Sequence, residues 1–130
     1  MEVKGNVALI TGGANGIGEA VAKNFAKAGA KVAIVDMSQK DLDRVVADIK
    51  AAGGEAIGIF ANVTKEEDTA NFVSQTIKAF GQINFVVPSA GIIRDSLMLS
   101  LDKETGKVKN KMSLDNWKAV IDINLTGTFL

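Results

Sequence analysis

The chain has 130 residues, 47% of them hydrophobic, with Lys+Arg and Asp+Glu balanced at 15 each. That apolar content suits one packed domain and argues against disorder, and the zero formal charge leaves no field to recruit nucleic acid or a membrane surface. Cys, His and Tyr are absent; disulfides, thiolate chemistry and Ser-His-Asp or Cys-His hydrolysis are therefore excluded within the chain, and a zinc site would have only carboxylates to use. General acid–base work falls to Lys, Asp or Glu. No apolar run approaches the ~20 residues that span a bilayer. The opening Met-Glu-Val-Lys-Gly lacks the basic and apolar regions of a signal peptide. Together these features fit a cytoplasmic protein.

In chain order, Asn6–Ile10 is a short apolar run without alternation, which predicts a strand buried on both faces. A glycine-rich turn from Gly12 to Gly18 leads into a helical pattern with Ala20, Val21, Phe25 and Ala28 on one side and Gly29 at its end. Lys31–Val35 is a second buried strand, closed by Asp36. Ser38 is placed to cap the next helix, whose apolar face is Leu42, Val45, Val46 and Ile49 and which stops at Gly53 and Gly54. Glu55–Phe60 is a third strand.

Thr64-Lys-Glu-Glu67 has the pattern of a capping box, followed by a helix carrying Phe72, Val73, Ile77 and Phe80 and ending at Gly81. Ile83–Val87 is the fourth strand. Arg94–Lys111 is polar and rich in lysine, with Lys103-Glu-Thr-Gly106 as the tip of a small hairpin. Ser113 caps a last helix with Leu114, Trp117, Val120, Ile121 and Leu125. The order β-α-β-α-β-α-β-loop-α predicts an α/β, Rossmann-type, doubly wound parallel sheet of about four strands, the N-terminal portion of such a fold. Residues 1–130 form one dinucleotide-binding domain, and the helix-like segment up to Leu130 carries no stop signal. The expectation is a domain cut within that helix.

The chemistry concentrates at Thr11-Gly12-Gly-Ala-Asn-Gly16-Ile-Gly18, between the first strand and the first helix. Gly12 permits a sharp turn, Gly16 leaves room for a pyrophosphate, and Gly18 allows close helix–strand packing. The phosphates would meet free N–H groups at the positive end of the helix dipole. The bland alternative is a tight turn with no ligand. Asp36 stands eighteen residues beyond Gly18, where a carboxylate accepts hydrogen bonds from ribose hydroxyls and repels a 2′-phosphate. No Arg or Lys occupies Ala14, Asn15 or Met37. The expected cofactor is therefore NAD over NADP, the alternative for Asp36 being a solvated strand end or a helix cap. Asn62 either bonds an adenine edge or makes an Asx turn.

These residues resemble those of the short-chain dehydrogenase/reductase family. The glycine pattern Thr-Gly-x-x-x-Gly-x-Gly is more specific than the commoner Rossmann pattern. Asp36, Asn62-Val63-Thr64, Ala90-Gly91 and Asn124-Leu-Thr-Gly127 agree in order and spacing. Gly91-Ile-Ile-Arg-Asp95, Trp117 and Asp122-Ile-Asn-Leu-Thr-Gly-Thr-Phe129 look most like 3-oxoacyl-acyl-carrier-protein reductases. The resemblance implies an oxidoreductase moving hydride between NAD(H) and a secondary alcohol or ketone, and a homo-oligomer, tetramer or dimer.

The implied cofactor-binding set is Gly12, Asn15, Gly16, Ile17, Gly18, Asp36, Met37, Asn62, Val63, Ser89, Ala90 and Gly91. Asn124 matches the catalytic Asn of the family's Asn-Ser-Tyr-Lys tetrad, where it holds a water in the proton relay. Read without the resemblance, Asn124 is a polar helix residue bonding a backbone group. The chain departs from the family in having Pro88-Ser89-Ala90-Gly91 for Asn-Asn-Ala-Gly, in Asn62 where Asp is common, and in a longer stretch from Ser100 to Met112. With no Tyr, these 130 residues alone are expected to be inactive. The alternative is a non-catalytic NAD-binding module, or a half-domain that needs a complementary chain.

Overall fold

The computed structural model describes residues 2–94 and 96–130. Met1, the first residue of the Met-Glu-Val-Lys-Gly start, and Asp95, the last of Gly91-Ile-Ile-Arg-Asp95, lie outside the described residues. The elements run β1 (Val7–Thr11), α1 (Gly16–Lys27), β2 (Lys31–Asp36), α2 (Gln39–Ala51), β3 (Glu55–Phe60), α3 (Glu66–Phe80) and β4 (Phe85–Pro88). A two-stranded hairpin follows, β5 (Leu99–Leu101) with β6 (Val108–Lys111), and then α4 (Leu114–Ile121). The four long strands pair in parallel in the order β3-β2-β1-β4. This is the α/β arrangement that the alternating elements predict.

The apolar runs without alternation have a direct cause. All five residues of β1 and the inner four of β2 are buried, because helices cover both faces of the sheet. On one face, Ala8, Ile10, Val32 and Ile34 meet Leu42, Val45 and Ile49 of α2, with Phe25 of α1 packed alongside. On the other, Leu9, Ala33, Val35 and Ile59 meet Phe72 of α3. The period of two survives inside the runs, but it sorts residues between two cores and not between core and water.

β1 is shifted by one residue from the expected Asn6–Ile10, and three further boundaries differ more from the sequence reading. β4 occupies Phe85–Pro88 and not Ile83–Val87, because Asn84 is used differently. Its side-chain Oδ1 accepts from the Val7 N–H at 2.8 Å, and its own N–H donates to the Val7 carbonyl at 2.9 Å. The capping box at Thr64 does not form. α3 starts at Glu66 behind Lys65, which makes no side-chain cap. Thr64 Oγ1 instead donates to Asn62 Oδ1 at 2.9 Å. The carboxylates of Glu66, Glu67 and Asp68 in the first turn offset the helix dipole in place of a cap. Ser38 and Ser113, by contrast, accept from Asp41 N and Asn116 N as their positions predict. The last helix is also not one continuous α-helix. A wider π turn, Asp122–Thr126, follows α4, and a short helical turn, Gly127–Phe129, comes after it. The π turn is centred on Asn124, whose side chain is bonded away from the helix to Ile92.

Pro88 ends β4, paired with Thr11. The missing proline N–H costs little there, because Ser89 N–H continues the ladder to the Thr11 carbonyl at 3.1 Å. The expected hairpin is present, with Asp102 Oδ1 accepting from the N–H groups of Glu104 and Thr105 across its tip. Among the described residues no helix is long and apolar enough to cross a membrane.

α1 and α2 are joined by charge as well as by packing. Glu19 lies between Lys23 at 2.7 Å and Arg44 at 2.9 Å, and Lys23 also reaches Asp48 at 2.8 Å. The Arg44 and Lys23 hydrogen bonds hold the Glu19 carboxyl down at about 2, against its ordinary 4.5. A carboxylate with a lowered folded-state value stabilises the fold above pH 4.5, and that contribution is lost as pH falls towards 2. Its basic partners are well exposed, so the contribution is roughly 1 kcal/mol. Glu19→Gln is expected to flatten the fall in urea-unfolding stability between pH 5 and pH 2 by about that amount. Parallel pH–stability curves for the two proteins would show the network to be inert.

Candidate functional site

The residues singled out by the sequence converge at the C-terminal ends of β1, β2 and β4. β1 lies between β2 and β4, so the chain order reverses there, and a crevice opens beyond the strand ends. The crevice holds a cavity of about 270 Å³. Gly12, Asn15, Asp36, Met37, Asn62, Val63, Ser89, Ala90 and Gly91 all line it. Gly16, Ile17 and Gly18 are not in its walls but form the first turn of α1 beside it. Ile17 is 80% exposed, an apolar side chain left open to a bound molecule. Val35, Ala61, Ile92 and Ile123 complete the lining and were not anticipated. Each is adjacent in sequence to a residue that was, and this adjacency was the available signal.

The glycine turn is built as its spacing suggests. Gly12 has φ +64°, and a Cβ there would come within 2.6 Å of the Ala90 Cα. Gly18 packs so closely under the turn that a Cβ would run into the Gly12 carbonyl. Gly16 has φ +52° and nothing within 4 Å of where a Cβ would be. The turn is therefore tight where it meets protein and open where a ligand would approach. The N–H groups of Gly16, Ile17 and Gly18 donate to no acceptor among the described residues, as the first amides of a helix do. Asn15 precedes them in extended conformation without a side-chain cap bond.

Asp36 ends β2 and is the one charged residue among those lining the cavity. Its Oδ2 accepts from the Ala14 N–H at 3.2 Å, and its Oδ1 from Met37 N–H at 2.8 Å and Ser38 N–H at 3.2 Å. The carboxylate thus braces the glycine turn while facing the crevice. Asn62 makes the Asx turn, its Oδ1 accepting from the Thr64 N–H at 3.0 Å. Its Nδ2 takes no partner among the described residues, so the amide is still able to donate into the cavity.

Asn124 does not line the cavity. Its Oδ1 accepts from Ile92 N–H at 2.9 Å, and its Nδ2 donates to the Ile92 carbonyl at 3.0 Å. The side chain works as a two-point clamp on the segment after β4. Gly91 lies against it, with room for a Cβ only 3.4 Å from Asn124 Oδ1. Among the described residues no group of three or more His, Cys, Asp or Glu could hold a metal ion. The cavity thus combines hydrogen-bond donors, one carboxylate and an apolar wall, groups that can hold an extended, phosphate-bearing molecule.

Residues 6–130 match the family model of the short chain dehydrogenase. Over 126 residues the chain is 43% identical to the 3-oxoacyl-[acyl-carrier-protein] reductase of Synechocystis sp. PCC 6803, covering 95% of this chain and 46% of that protein. It is 39% identical over 126 residues to the 2,5-dichloro-2,5-cyclohexadiene-1,4-diol dehydrogenase LinX of Sphingobium indicum, covering 97% of this chain and 46% of that one. Among solved structures, a doubly substituted mutant of a Serratia marcescens short-chain dehydrogenase/reductase superposes with a TM-score of 0.82 at 27% identity, over 99% of this chain and 49% of its own. The chain spans about half the length of the relatives it matches.

Proposed function

The chain belongs to the short-chain dehydrogenase family, and from that premise we propose that it forms the NAD-holding part of an oxidoreductase acting on a secondary alcohol or ketone. The observation that carries the choice of cofactor is Asp36, alone among charged residues in the cavity wall, with no Lys or Arg beside it there. A carboxylate in that place accepts ribose hydroxyls and disfavours the extra 2′-phosphate of NADP. The free N–H groups of Gly16, Ile17 and Gly18 hold the pyrophosphate, Asn62 Nδ2 donates to the adenine, and the walls at Asn15, Met37, Val63, Ser89, Ala90 and Gly91 enclose the rest. When bound, the nicotinamide supplies the hydride donor or acceptor.

In this proposal Asn124 serves the reaction through the loop it clamps, beside the relay role that the resemblance assigns to it. The resemblance also implies a Ser and a Tyr-x-x-x-Lys for the proton transfer, and these 130 residues contain no Tyr. Likeness to the Synechocystis reductase favours a 3-oxoacyl substrate. The exposed α4, none of whose residues is buried, supports a homo-oligomer, and the lack of Cys favours a cytoplasmic location.

The test is made on the full-length protein, by calorimetric titration with NAD and NADP and by NADH-linked reduction of a 3-oxoacyl thioester. Tighter binding of NAD with turnover is expected. Tighter NADP binding would overturn the cofactor choice, and binding of neither would remove the dinucleotide reading. NAD binding without turnover would favour the second reading, a module or half-domain that depends on a complementary chain, which the absence of Tyr motivates.

A further inference from the structure

The glycine turn is held from outside by a residue that belongs to no local motif. Arg44, on α2, lies thirty residues beyond Ala14. Its Nη2 donates to the Ala14 carbonyl at 3.0 Å. Its Nη1 and Nη2 also donate to the two carboxylate oxygens of Glu19, at 2.9 Å each. Glu19 sits in the first turn of α1, so the guanidinium is fixed in a fork between the turn and the helix that follows it. On its other side, the Ala14 N–H is taken by Asp36. Ala14 itself is fully buried.

The direction of that carbonyl matters. Gly18 N–H, the helix amide placed to reach it, does not donate to it, so Arg44 is its partner among the described residues. The described residues contain no cis peptide bond. In a trans peptide the C=O of one residue and the N–H of the next point in opposite directions. Drawing the Ala14 carbonyl towards α2 therefore turns the Asn15 N–H the other way. Asn15 lines the cavity and Arg44 does not, and no acceptor among the described residues takes the Asn15 N–H.

We propose that Arg44 is a positioning residue that fixes the orientation of the Ala14–Asn15 peptide, so that the Asn15 N–H joins the amides of Gly16, Ile17 and Gly18 in receiving a pyrophosphate. The inference rests on the nucleotide reading given above. It assigns Arg44 a task on the far side of the turn from the ligand, with Glu19 holding the guanidinium in place. Arg44 does not meet the phosphate.

The test compares two ligands that differ in the group at issue, ADP and adenosine, by calorimetric titration of the full-length protein. Arg44→Met is expected to weaken ADP about tenfold, the loss of one charge-assisted hydrogen bond, and to leave adenosine unchanged. Glu19→Gln, which keeps the arginine but loosens its fork, is expected to give a smaller loss confined to ADP, and it serves if Arg44→Met does not fold. Arg44→Lys, which retains a donor, is expected to recover part of the loss. Equal weakening of ADP and adenosine would mean that Arg44 only supports the fold, and the proposal fails. Unchanged ADP binding in both the Met and Gln variants also overturns it. If the unaltered protein binds neither ligand, the nucleotide reading itself fails and takes this one with it.

Discussion

Alanine at Gly12 is expected to destabilise the protein by roughly 1–5 kcal/mol and to abolish NAD binding. Two costs combine. The backbone there has φ +64°, and an L side chain in that region costs about 1–2 kcal/mol. The added Cβ would also stand 2.6 Å from the Ala90 Cα and 2.7 Å from its nitrogen. These are backbone atoms just beyond β4 and cannot swing aside, so overpacking adds about 1–3 kcal/mol. The smaller conformational freedom of the unfolded alanine chain returns only about 0.4–1 kcal/mol. The net loss is a large share of the ~5–15 kcal/mol that holds an ordinary domain together.

Gly16→Ala is the informative control. It carries the same kind of backbone strain, at φ +52°, but meets nothing within 4 Å. It should lose only about 1 kcal/mol of stability and still bind NAD poorly, because the new methyl fills the space left for a ligand. Urea unfolding and NAD titration of both variants check this. Equal destabilisation by the two would show that the Ala90 contact relaxes freely, and retained NAD binding in Gly16→Ala would mean that the open side of the turn does not face the cofactor.

What could be read from the sequence followed the range of each interaction. The parallel strands and their helices were visible because apolar runs, glycine stops and the Ser38 and Ser113 caps are local signals. The capping box at Thr64 was a local signal too, and it lost to a competing local one. Asp68 Oδ2 accepts from the Asn62 N–H at 2.8 Å, and the Asx turn this supports draws Thr64 back to Asn62. The start of β4 was misplaced for the opposite reason, a distant contact, since Asn84 spends its side chain on Val7, seventy-seven residues away. In the site, the glycines and Asp36 could be named because a strand–turn–helix unit imposes their spacing. Arg44 could not, because its partners Ala14 and Glu19 lie on another element. Asn124 had two readings in the sequence. The structure supplies the backbone bond of one of them, to Ile92.

That double use of local and distant contacts also decides how Asp36→Ala should be read. The substitution removes the acceptor for the Ala14 N–H and for those of Met37 and Ser38. Ala14 is fully buried, so its stranded donor costs about 1–3 kcal/mol. Damage to the glycine turn would weaken NAD and NADP alike, since both present the same pyrophosphate. Affinity for NAD alone therefore does not separate a ribose ligand from a brace for the turn. The ratio of the two dissociation constants does. If Asp36 accepts the ribose hydroxyls and repels the 2′-phosphate, Asp36→Ala weakens NAD by about 1–3 kcal/mol, up to a hundredfold, while NADP loses less or gains. The preference for NAD then collapses. If both constants rise together and their ratio holds, Asp36 is only the brace that its three backbone bonds describe, and cofactor choice lies elsewhere in the cavity wall. Titration of Asp36→Ala and Asp36→Asn with both dinucleotides settles which. The Asn side chain keeps an oxygen for Met37 and Ser38 but presents an N–H to Ala14, so it should injure the turn as alanine does and relieve the repulsion of a 2′-phosphate as well.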